Sequence, residues 1–438
     1  MNFKIPLNEN IERFNMPENL KIGIMIAKQH EDCKKLGCGF DYYQLALGQS
    51  PFFVPENIQK SLANNTNAGY YSASDGIIEL REKIAGFNKK YFSIDADTNR
   101  IIVGPGTKTL LFMIFSIVDS KLIIPTPSWI GYSPLLDFLK KDYVKFPLSS
   151  DNNYKIDPDE LSSFLTKQDE RHMLLINNPN NPTGAVYSER ELRKIVDICR
   201  QNNTLILSDE IYALTTYDFS KFTSVGALYP EGTFVTNGLS KDRSAGGYRL
   251  GTCILPKQED SELRDAFVKL AASLYSNVST PVQLAGITAY EISSEIEEYF
   301  NTTRKIHELI GLTISEKCND INGLSATVPE GGFYFILDFN EYSQKLMANG
   351  IKNSNQLSKA LLAHPYHVAT VTGDSILVKS DNFSARIAFV DYDGRKAYED
   401  YIDNPPIKDN DKKEFINKHA KHILDGIDQI KKFLENLG

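Results

Sequence analysis

The chain has 438 residues, of which 42% are hydrophobic and 24% charged; this composition excludes wholesale disorder, and the length accommodates a large domain with a smaller one. There are 48 lysines and arginines against 56 aspartates and glutamates, and the resulting charge of −8 argues against a broad basic surface for nucleic acid. Five cysteines in a chain of this length do not make a disulfide framework.

The N-terminal sequence, MNFKIPLNEN, lacks the basic start and apolar core of a secretory signal. The longest apolar stretch, LLFMIFSIV at 110–118, is too short to span a bilayer. We therefore expect a cytoplasmic protein without a membrane-spanning segment.

The middle of the chain alternates short apolar runs with longer helical patterns. Helical spacing predicts helices over Thr107–Val118 and Ser188–Gln201. Continuous apolar runs predict strands that are buried on both faces, at Ile101–Val103, Lys121–Ile124, Met173–Ile176, Leu205–Leu207 and Thr233–Thr236. This alternation predicts an α/β domain with three layers around a mostly parallel sheet.

The last third of the chain has a different pattern. A long helical pattern covers 286–317, and a second covers Glu414–Leu437. Apolar strands are predicted within Pro329–Phe339 and Ser384–Phe389. We expect a smaller α+β domain here, completed by the N-terminal arm, so that the chain divides into 1–47, 48–295 and 296–438.

Candidate ligand-binding residues follow each of the five predicted strands. In chain order they are Gly106, Thr107 and Lys108, then Trp129, then Asn181, then Asp209 and Tyr212, then Ser240 and Lys241. Because the carboxyl ends of parallel strands share one edge of a sheet, where ligands bind, these residues are expected to meet.

This set of side chains suits an aromatic aldehyde that carries a phosphate and a ring nitrogen. A lysine forms a Schiff base with an aldehyde, and a carboxylate keeps a ring nitrogen protonated, so that the ring accepts electrons. Tyrosine and asparagine can bond a ring oxygen, and tryptophan can stack on the ring. The helix start after Gly106, together with Arg249, can bind the phosphate.

Five segments, in this order, carry a family resemblance: YYSASDGIIELR, NNPNNPTG, SDEIY, SKDRSAGGYRLG and SARIAF. With them the sequence resembles the class I/II (fold-type I) pyridoxal-phosphate aminotransferases, relatives of aspartate aminotransferase, from Gly48 to about Phe389. The resemblance implies a pyridoxal 5′-phosphate cofactor and amino-group transfer between an amino acid and a 2-oxo acid. It also implies a homodimer with shared active sites.

The resemblance assigns roles residue by residue. Lys241 would be the Schiff-base lysine that also moves the substrate's Cα proton, and Asp209 would pair with the ring nitrogen. Tyr212 and Asn181 would contact the ring oxygen, and Trp129 would stack. The phosphate would be surrounded by Gly106, Thr107, Lys108, Ser240 and Arg249, with Tyr71 reaching it from the neighbouring subunit. Arg386 would clamp the substrate's α-carboxylate, with Gly48, Trp129 and Asn181 alongside.

The sequence departs from the family pattern at three places. Gly238 stands three positions before the lysine, where many relatives have a hydroxyl residue. Gln49-Ser50 replaces an acidic-Pro pair, and the aromatic residue before the phosphate arginine is Tyr248. None of these changes removes a catalytic group.

Two questions stay open from the sequence. A β-lyase or other α-carbon chemistry uses the same residues as transamination, and Lys108 is placed for either the phosphate or a distal substrate carboxylate. A metal is not expected, since the spaced pairs His364/His367 and His419/His422 lack accompanying ligands.

Overall fold

The structure is a computed structural model that describes residues 5–13, 16, 18–36, 42–167, 170–379 and 381–438. Part of the predicted N-terminal arm, including 37–41, lies outside the described residues. No helix in the described ranges is both long and apolar enough to cross a bilayer.

The elements up to residue 289 alternate strands with helices. In chain order they are α1 Asn10–Arg13, α2 Glu18–Leu36, β1 Tyr43–Gln44, α3 Glu56–Asn64, α4 Ile78–Phe92, β2 Ile101–Gly104, α5 Thr107–Ile117, β3 Lys121–Thr126, α6 Tyr132–Leu139, β4 Tyr143–Pro147, α7 Pro158–Leu165, β5 His172–Asn177, α8 Glu189–Gln201, β6 Leu205–Asp209, α9 Val225–Leu228, β7 Thr233–Gly238, β8 Gly251–Ile254, α10 Glu262–Leu274 and α11 Thr280–Ala289.

The remaining elements surround a smaller sheet. They are α12 Ser294–Asn319, β9 Ser325–Ala326, β10 Tyr334–Asp338, α13 Ser343–Ala348, α14 Ser354–Leu362, β11 Val368–Ala369, β12 Val371–Thr372, β13 Ser384–Ala388, α15 Gly394–Asp403, α16 Asp409–His419 and α17 Lys421–Glu435.

The larger sheet has seven strands within the described residues, in the order β2-β8-β7-β6-β5-β3-β4. Among these seven, β8 alone runs in the opposite direction to the others, so its pairings with β2 and β7 are antiparallel and the rest are parallel. All five strands predicted from apolar runs are present. The sequence pattern missed β4, an edge strand whose Lys145 and Pro147 are exposed, and β8, which has four residues.

Helices cover both faces of this sheet and make the three predicted layers. Along β6, Leu207 packs into a core with α5, α6 and α10, while Ile206 packs into a separate core with α7 and α8. Successive side chains of a strand point to opposite faces, so a strand between two helical layers must be apolar at consecutive positions. This explains the continuous apolar runs and confirms the α/β fold.

Two long helices predicted from the sequence are each interrupted. The pattern over 286–317 belongs to α11 and α12, because the Ser293 side chain accepts a hydrogen bond from the Ile296 backbone N–H and starts a new helix. The pattern over Glu414–Leu437 is divided at Ala420, whose backbone (φ −109°, ψ 16°) leaves the helical region between α16 and α17. In both places the apolar spacing continues across the break, so the sequence pattern does not show where one helix ends and the next begins.

The smaller sheet has the order β12-β13-β10-β9 and is antiparallel. Its register places Arg386 on β13 opposite Ile336 on β10. The N-terminal strand β1 pairs in parallel with β11. These pairings bring Gly48, Tyr334 and Arg386 to the edge of the larger sheet.

Gly238 lies where β7 and β8 approach closely. A Cβ atom at this position would lie 2.7 Å from the Leu250 carbonyl oxygen and 3.0 Å from the Gly251 Cα. The backbone of the neighbouring strand therefore excludes the hydroxyl side chain that many relatives have here.

Candidate active site

A cavity of about 490 Å³ lies at the carboxyl ends of the parallel strands. Among its lining residues are eleven of the thirteen predicted site residues, namely Gly48, Thr107, Lys108, Trp129, Asn181, Asp209, Tyr212, Ser240, Lys241, Arg249 and Arg386. The fold thus brings together residues that lie up to 338 positions apart in the sequence.

Lys241 follows β7 and extends its amine into this cavity. Its Nζ donates a hydrogen bond to the Gly48 carbonyl oxygen at 2.7 Å. The same atom lies 5.7 Å from the centroid of the Tyr212 ring and 5.6 Å from that of Phe333. The lysine amine is therefore held at a defined place between a backbone oxygen and two aromatic rings.

Asp209 closes the inner end of the cavity. The carboxyl accepts hydrogen bonds from Tyr132 Oη at 2.6 Å and from Thr236 Oγ1 at 3.2 Å, and it is 4% exposed. Burial raises the pKa of Asp209, and the two hydroxyl bonds oppose that shift. A buried carboxylate of this kind suits a cationic N–H on a bound ring.

Three cations, Lys108, Lys241 and Arg249, lie together at the phosphate end of the predicted site. In the described part of the chain, none has a carboxylate within ion-pair distance. Burial and the neighbouring charges of Arg249 and Lys241 lower the pKa of Lys108. An unneutralised cluster of this kind favours a bound anion.

The start of α5 completes this anion site. Gly106 is the N-cap residue of α5 and has no side chain that could accept a hydrogen bond from the first backbone N–H groups of the helix. These N–H groups carry partial positive charge. Gly106 has a φ of +86°, and a Cβ there would lie 2.2 Å from an Arg249 guanidinium nitrogen. Glycine therefore allows both the turn and the approach of the arginine.

Arg386 is almost fully buried beside Asn181. Its Nη1 donates to Asn181 Oδ1 at 3.2 Å and its Nη2 to the Ala46 carbonyl, while its Nε has no protein partner. The Asn181 amide in turn donates to the Tyr212 hydroxyl at 3.3 Å. Burial lowers the pKa of Arg386. A buried guanidinium with an unused N–H fits a substrate carboxylate.

Comparison with known proteins identifies the family that has this arrangement. Residues 39–393 match the family described as aminotransferase class I and II. The chain belongs to this family. The aminotransferase is 32% identical over 343 residues to the aspartate aminotransferase of Bacillus sp. (strain YM-2), covering 76% of this chain and 84% of that one. It is 30% identical over 344 residues to the asparagine–oxo-acid transaminase of Streptococcus mutans, with the same coverage of 76% and 84%.

Solved structures show the same fold. The aspartate aminotransferase of Thermus thermophilus with maleate superimposes with a TM-score of 0.79 at 20% identity, covering 98% of this chain and all of that one. The aspartate aminotransferase of Rhizobium meliloti gives a TM-score of 0.79 at 23% identity, covering 97% of this chain. The expected fold-type I architecture is therefore confirmed. The family match and the curated relatives identify the protein as a transferase.

Two predicted residues lie outside the cavity lining. Gly106 is directly behind it, against Arg249. Tyr71 lies in the connection between α3 and α4 and is 88% exposed, so it does not contact the cavity of its own chain. Its predicted contact with a neighbouring subunit stays a prediction.

The sequence alone leaves two tyrosines of the cavity lining, Tyr132 and Tyr334, as substrate-side aromatics or ordinary core, and it does not predict their contacts with Asp209 and Tyr212. Tyr132 lies three residues after Trp129 and packs edge-on against it at 4.9 Å between ring centroids. Tyr334 begins β10 and forms a hydrogen bond with Tyr212. The helical spacing from Trp129 was a usable signal for Tyr132, whereas only the packing of the smaller sheet reveals Tyr334.

Proposed function

We propose that this aminotransferase uses pyridoxal 5′-phosphate to move an amino group between an L-amino acid and a 2-oxo acid. One observation carries the proposal. A single cavity contains a lysine amine, a deeply buried carboxylate and a cationic cluster with no carboxylate partner among the described residues. These are the groups that an aldehyde, a protonated ring nitrogen and a phosphate require.

The residues of the cavity fit the parts of this cofactor. Arg249 and the first amides of α5 would hold the phosphate, with Thr107, Lys108 and Ser240 around it. Asp209 would bind the ring nitrogen, Trp129 would lie against the ring, and Tyr212 with Asn181 would bind the ring oxygen. A phosphate would bond the uncapped start of α5 and would neutralise cations that have no ion pair with a carboxylate among the described residues.

When bound, the cofactor supplies an aldehyde that holds the substrate nitrogen and a ring that accepts electrons from the substrate's Cα. The Lys241 amine would hold that aldehyde, and as a free amine it would take the substrate's Cα proton as general base. The Gly48 carbonyl, 2.7 Å from Nζ, orients the amine for this transfer. Asp209 stabilises the protonated ring nitrogen electrostatically.

Arg386 orients the substrate. Its unpartnered Nε and its Nη1 would bind the α-carboxylate. A fixed carboxylate directs the Cα–H bond towards Lys241. The relatives act, by their names, on aspartate and asparagine, so L-aspartate and L-asparagine are the first donors to test.

We also propose a homodimer and a two-domain chain. The exposure of Tyr71, with its neighbour Tyr70 60% exposed, supports contact with a second subunit. The larger sheet lies before residue 295 and the smaller sheet after it, and β1 pairs with β11. These pairings support a division at 1–47, 48–295 and 296–438.

A single half-reaction tests the proposed activity. The cofactor-loaded protein is mixed with L-aspartate or L-asparagine and no 2-oxo acid. We expect one 2-oxo acid per site and conversion of the cofactor to its amine form, seen as a change in its absorption. With β-chloro-L-alanine, whose Cβ carries a leaving group, release of pyruvate and ammonia over many turnovers would instead indicate β-elimination.

Matched lysine variants complete this experiment. Lys241→Ala should abolish product formation and prevent covalent trapping of the cofactor by borohydride. Lys221→Ala, which removes an exposed lysine, should leave both unchanged. A wild-type protein that takes up no pyridoxal phosphate would contradict the proposal.

A further inference from the structure

A second tyrosine hydroxyl lies beside Tyr212 at the floor of the cavity. Tyr334 is 2% exposed, and its Oη is 3.0 Å from Tyr212 Oη and 3.2 Å from the Gly48 carbonyl oxygen. The face of its ring lies against Arg386, whose guanidinium carbon is 4.6 Å from the ring centroid. Tyr334 thus contacts three residues with proposed roles.

The place of this hydroxyl depends on a glycine. A Cβ at position 48 would lie 1.8 Å from Tyr334 Oη and 2.3 Å from its Cζ. Any other residue at 48 would displace the ring. Glycine at position 48 therefore allows the Tyr334 hydroxyl to approach Tyr212.

The available protons determine the direction of the hydrogen bonds. A tyrosine hydroxyl has one proton and can accept two further bonds. The Gly48 carbonyl already accepts from Lys241 at 2.7 Å, and the Tyr212 oxygen accepts from Asn181 at 3.3 Å. Tyr334 donates to the Gly48 carbonyl, and either hydroxyl can donate in its contact with Tyr212. Once Tyr212 directs its single proton to the cofactor's ring oxygen, only Tyr334 has a proton left for the contact between the two hydroxyls.

We propose that Tyr334 is a positioning residue that donates to the Tyr212 hydroxyl and thereby strengthens the bond that Tyr212 donates to the cofactor's ring oxygen. This inference rests on the proposed function. A hydroxyl that accepts hydrogen bonds becomes a better donor, because bonds in a chain polarise one another. The chain would run from Tyr334 and Asn181 through Tyr212 to the ring oxygen.

The test measures the pH at which the visible absorption of the pyridoxal-phosphate-loaded protein changes. That midpoint reports the proton beside the ring oxygen, and a less stabilised negative oxygen holds the proton to higher pH. Tyr334→Phe removes the hydroxyl and keeps the ring. We expect the midpoint to rise by about half a pH unit or more, a threefold change in proton affinity.

A double variant shows whether Tyr334 acts through Tyr212. If it does, Tyr212→Phe and the pair Tyr212→Phe/Tyr334→Phe should have the same midpoint, because the second change has nothing left to weaken. Tyr187→Phe is the matched control, since Tyr187 is a buried tyrosine outside the cavity whose hydroxyl accepts from the Ile156 N–H. It should leave the midpoint unchanged.

The outcomes separate this inference from the proposed function. A wild-type protein without a visible cofactor band would overturn both. A wild-type band with a Tyr334→Phe midpoint within 0.2 pH unit, roughly the scatter below which no difference in proton affinity is significant, would overturn the role of Tyr334 alone. Shifts from the two tyrosine variants that simply add would also overturn it.

Discussion

At the scale of single residues, the contact between Tyr132 and Asp209 is the shortest hydrogen bond to the proposed ring-nitrogen partner. The bond lowers the pKa of a carboxyl that burial raises, so it favours the ionised form that the ring nitrogen needs. Hydrogen bonds to charged groups contribute about 1.5–3 kcal/mol. Tyr132 is therefore expected to support Asp209 in catalysis.

Tyr132→Phe should lower kcat/KM about tenfold, equivalent to about 1.4 kcal/mol. The acid limb of the pH–rate profile should also move to higher pH, because Asp209 without this bond is protonated more readily. The measurement is kcat/KM across pH for the variant and the wild type. Tyr143→Phe, which breaks a tyrosine–aspartate bond to Asp137 outside the cavity, should change neither, and an unmoved acid limb in Tyr132→Phe would contradict the assignment.

The residues predicted from the sequence share a simple property. Asp209 ends a buried strand, and Asn181 and Lys241 come within four residues of the end of one, so the sheet alone brings them together. Tyr334 has no such signal, because its contact with Gly48 joins positions 286 apart and depends on the smaller sheet. Sequence motifs locate residues at strand ends, whereas contacts between the two sheets can be identified only from the three-dimensional structure.

At the scale of elements, Glu210 connects the end of β6 to the start of α9. Its Oε1 accepts from the hydroxyls of Ser208 and Ser224, both at 2.8 Å, and from the Val225 N–H at 3.1 Å. Its Oε2 has no protein partner, and burial raises the pKa of this carboxyl to about 7. We therefore expect the stability of this connection to depend on pH.

The raised pKa of Glu210 determines how the free energy of unfolding changes with pH. The unfolded chain releases the Glu210 proton near its ordinary value while the folded chain keeps it, so the free energy of unfolding falls as pH rises from about 4.5 to about 7. Glu210→Gln should remove a loss of about 2.5 kcal/mol in the free energy of unfolding between pH 5 and pH 8. Urea unfolding at the two pH values measures it. Glu56→Gln, at an exposed position, should show the same difference in the free energy of unfolding between the two pH values as the wild type. If Glu210→Gln also showed the wild-type difference, the role of this carboxyl would be refuted.

The elements themselves were predictable wherever burial set the pattern. Strands between two helical layers are apolar throughout, and all five were found. The edge strand β4 has no such requirement, and the breaks at Ser293 and Ala420 depend on local capping and backbone geometry within continuous apolar spacing. Periodicity reports which face is buried and carries little information about where a helix ends.

At the scale of the whole molecule, the exposed Tyr71 gives a test of the shared site. If Tyr71 completes the phosphate site of the other subunit, a Lys241→Ala chain can supply an intact Tyr71 to a Tyr71→Ala chain, whose own Lys241 is intact. A hybrid dimer then has one wild-type site and one site with both defects. Each homodimer should be inactive or strongly impaired when pyridoxal phosphate is limiting.

Hybrid dimers, isolated with two different affinity tags, should therefore have about half the wild-type activity at limiting cofactor, since one of two sites is intact. Tyr70→Ala is the matched control, because it removes the adjacent exposed ring and should bind the cofactor like the wild type. If Tyr71 served its own subunit, the hybrid would be no more active than half the Tyr71→Ala homodimer. Failure of the two tagged chains to associate would exclude the dimer itself.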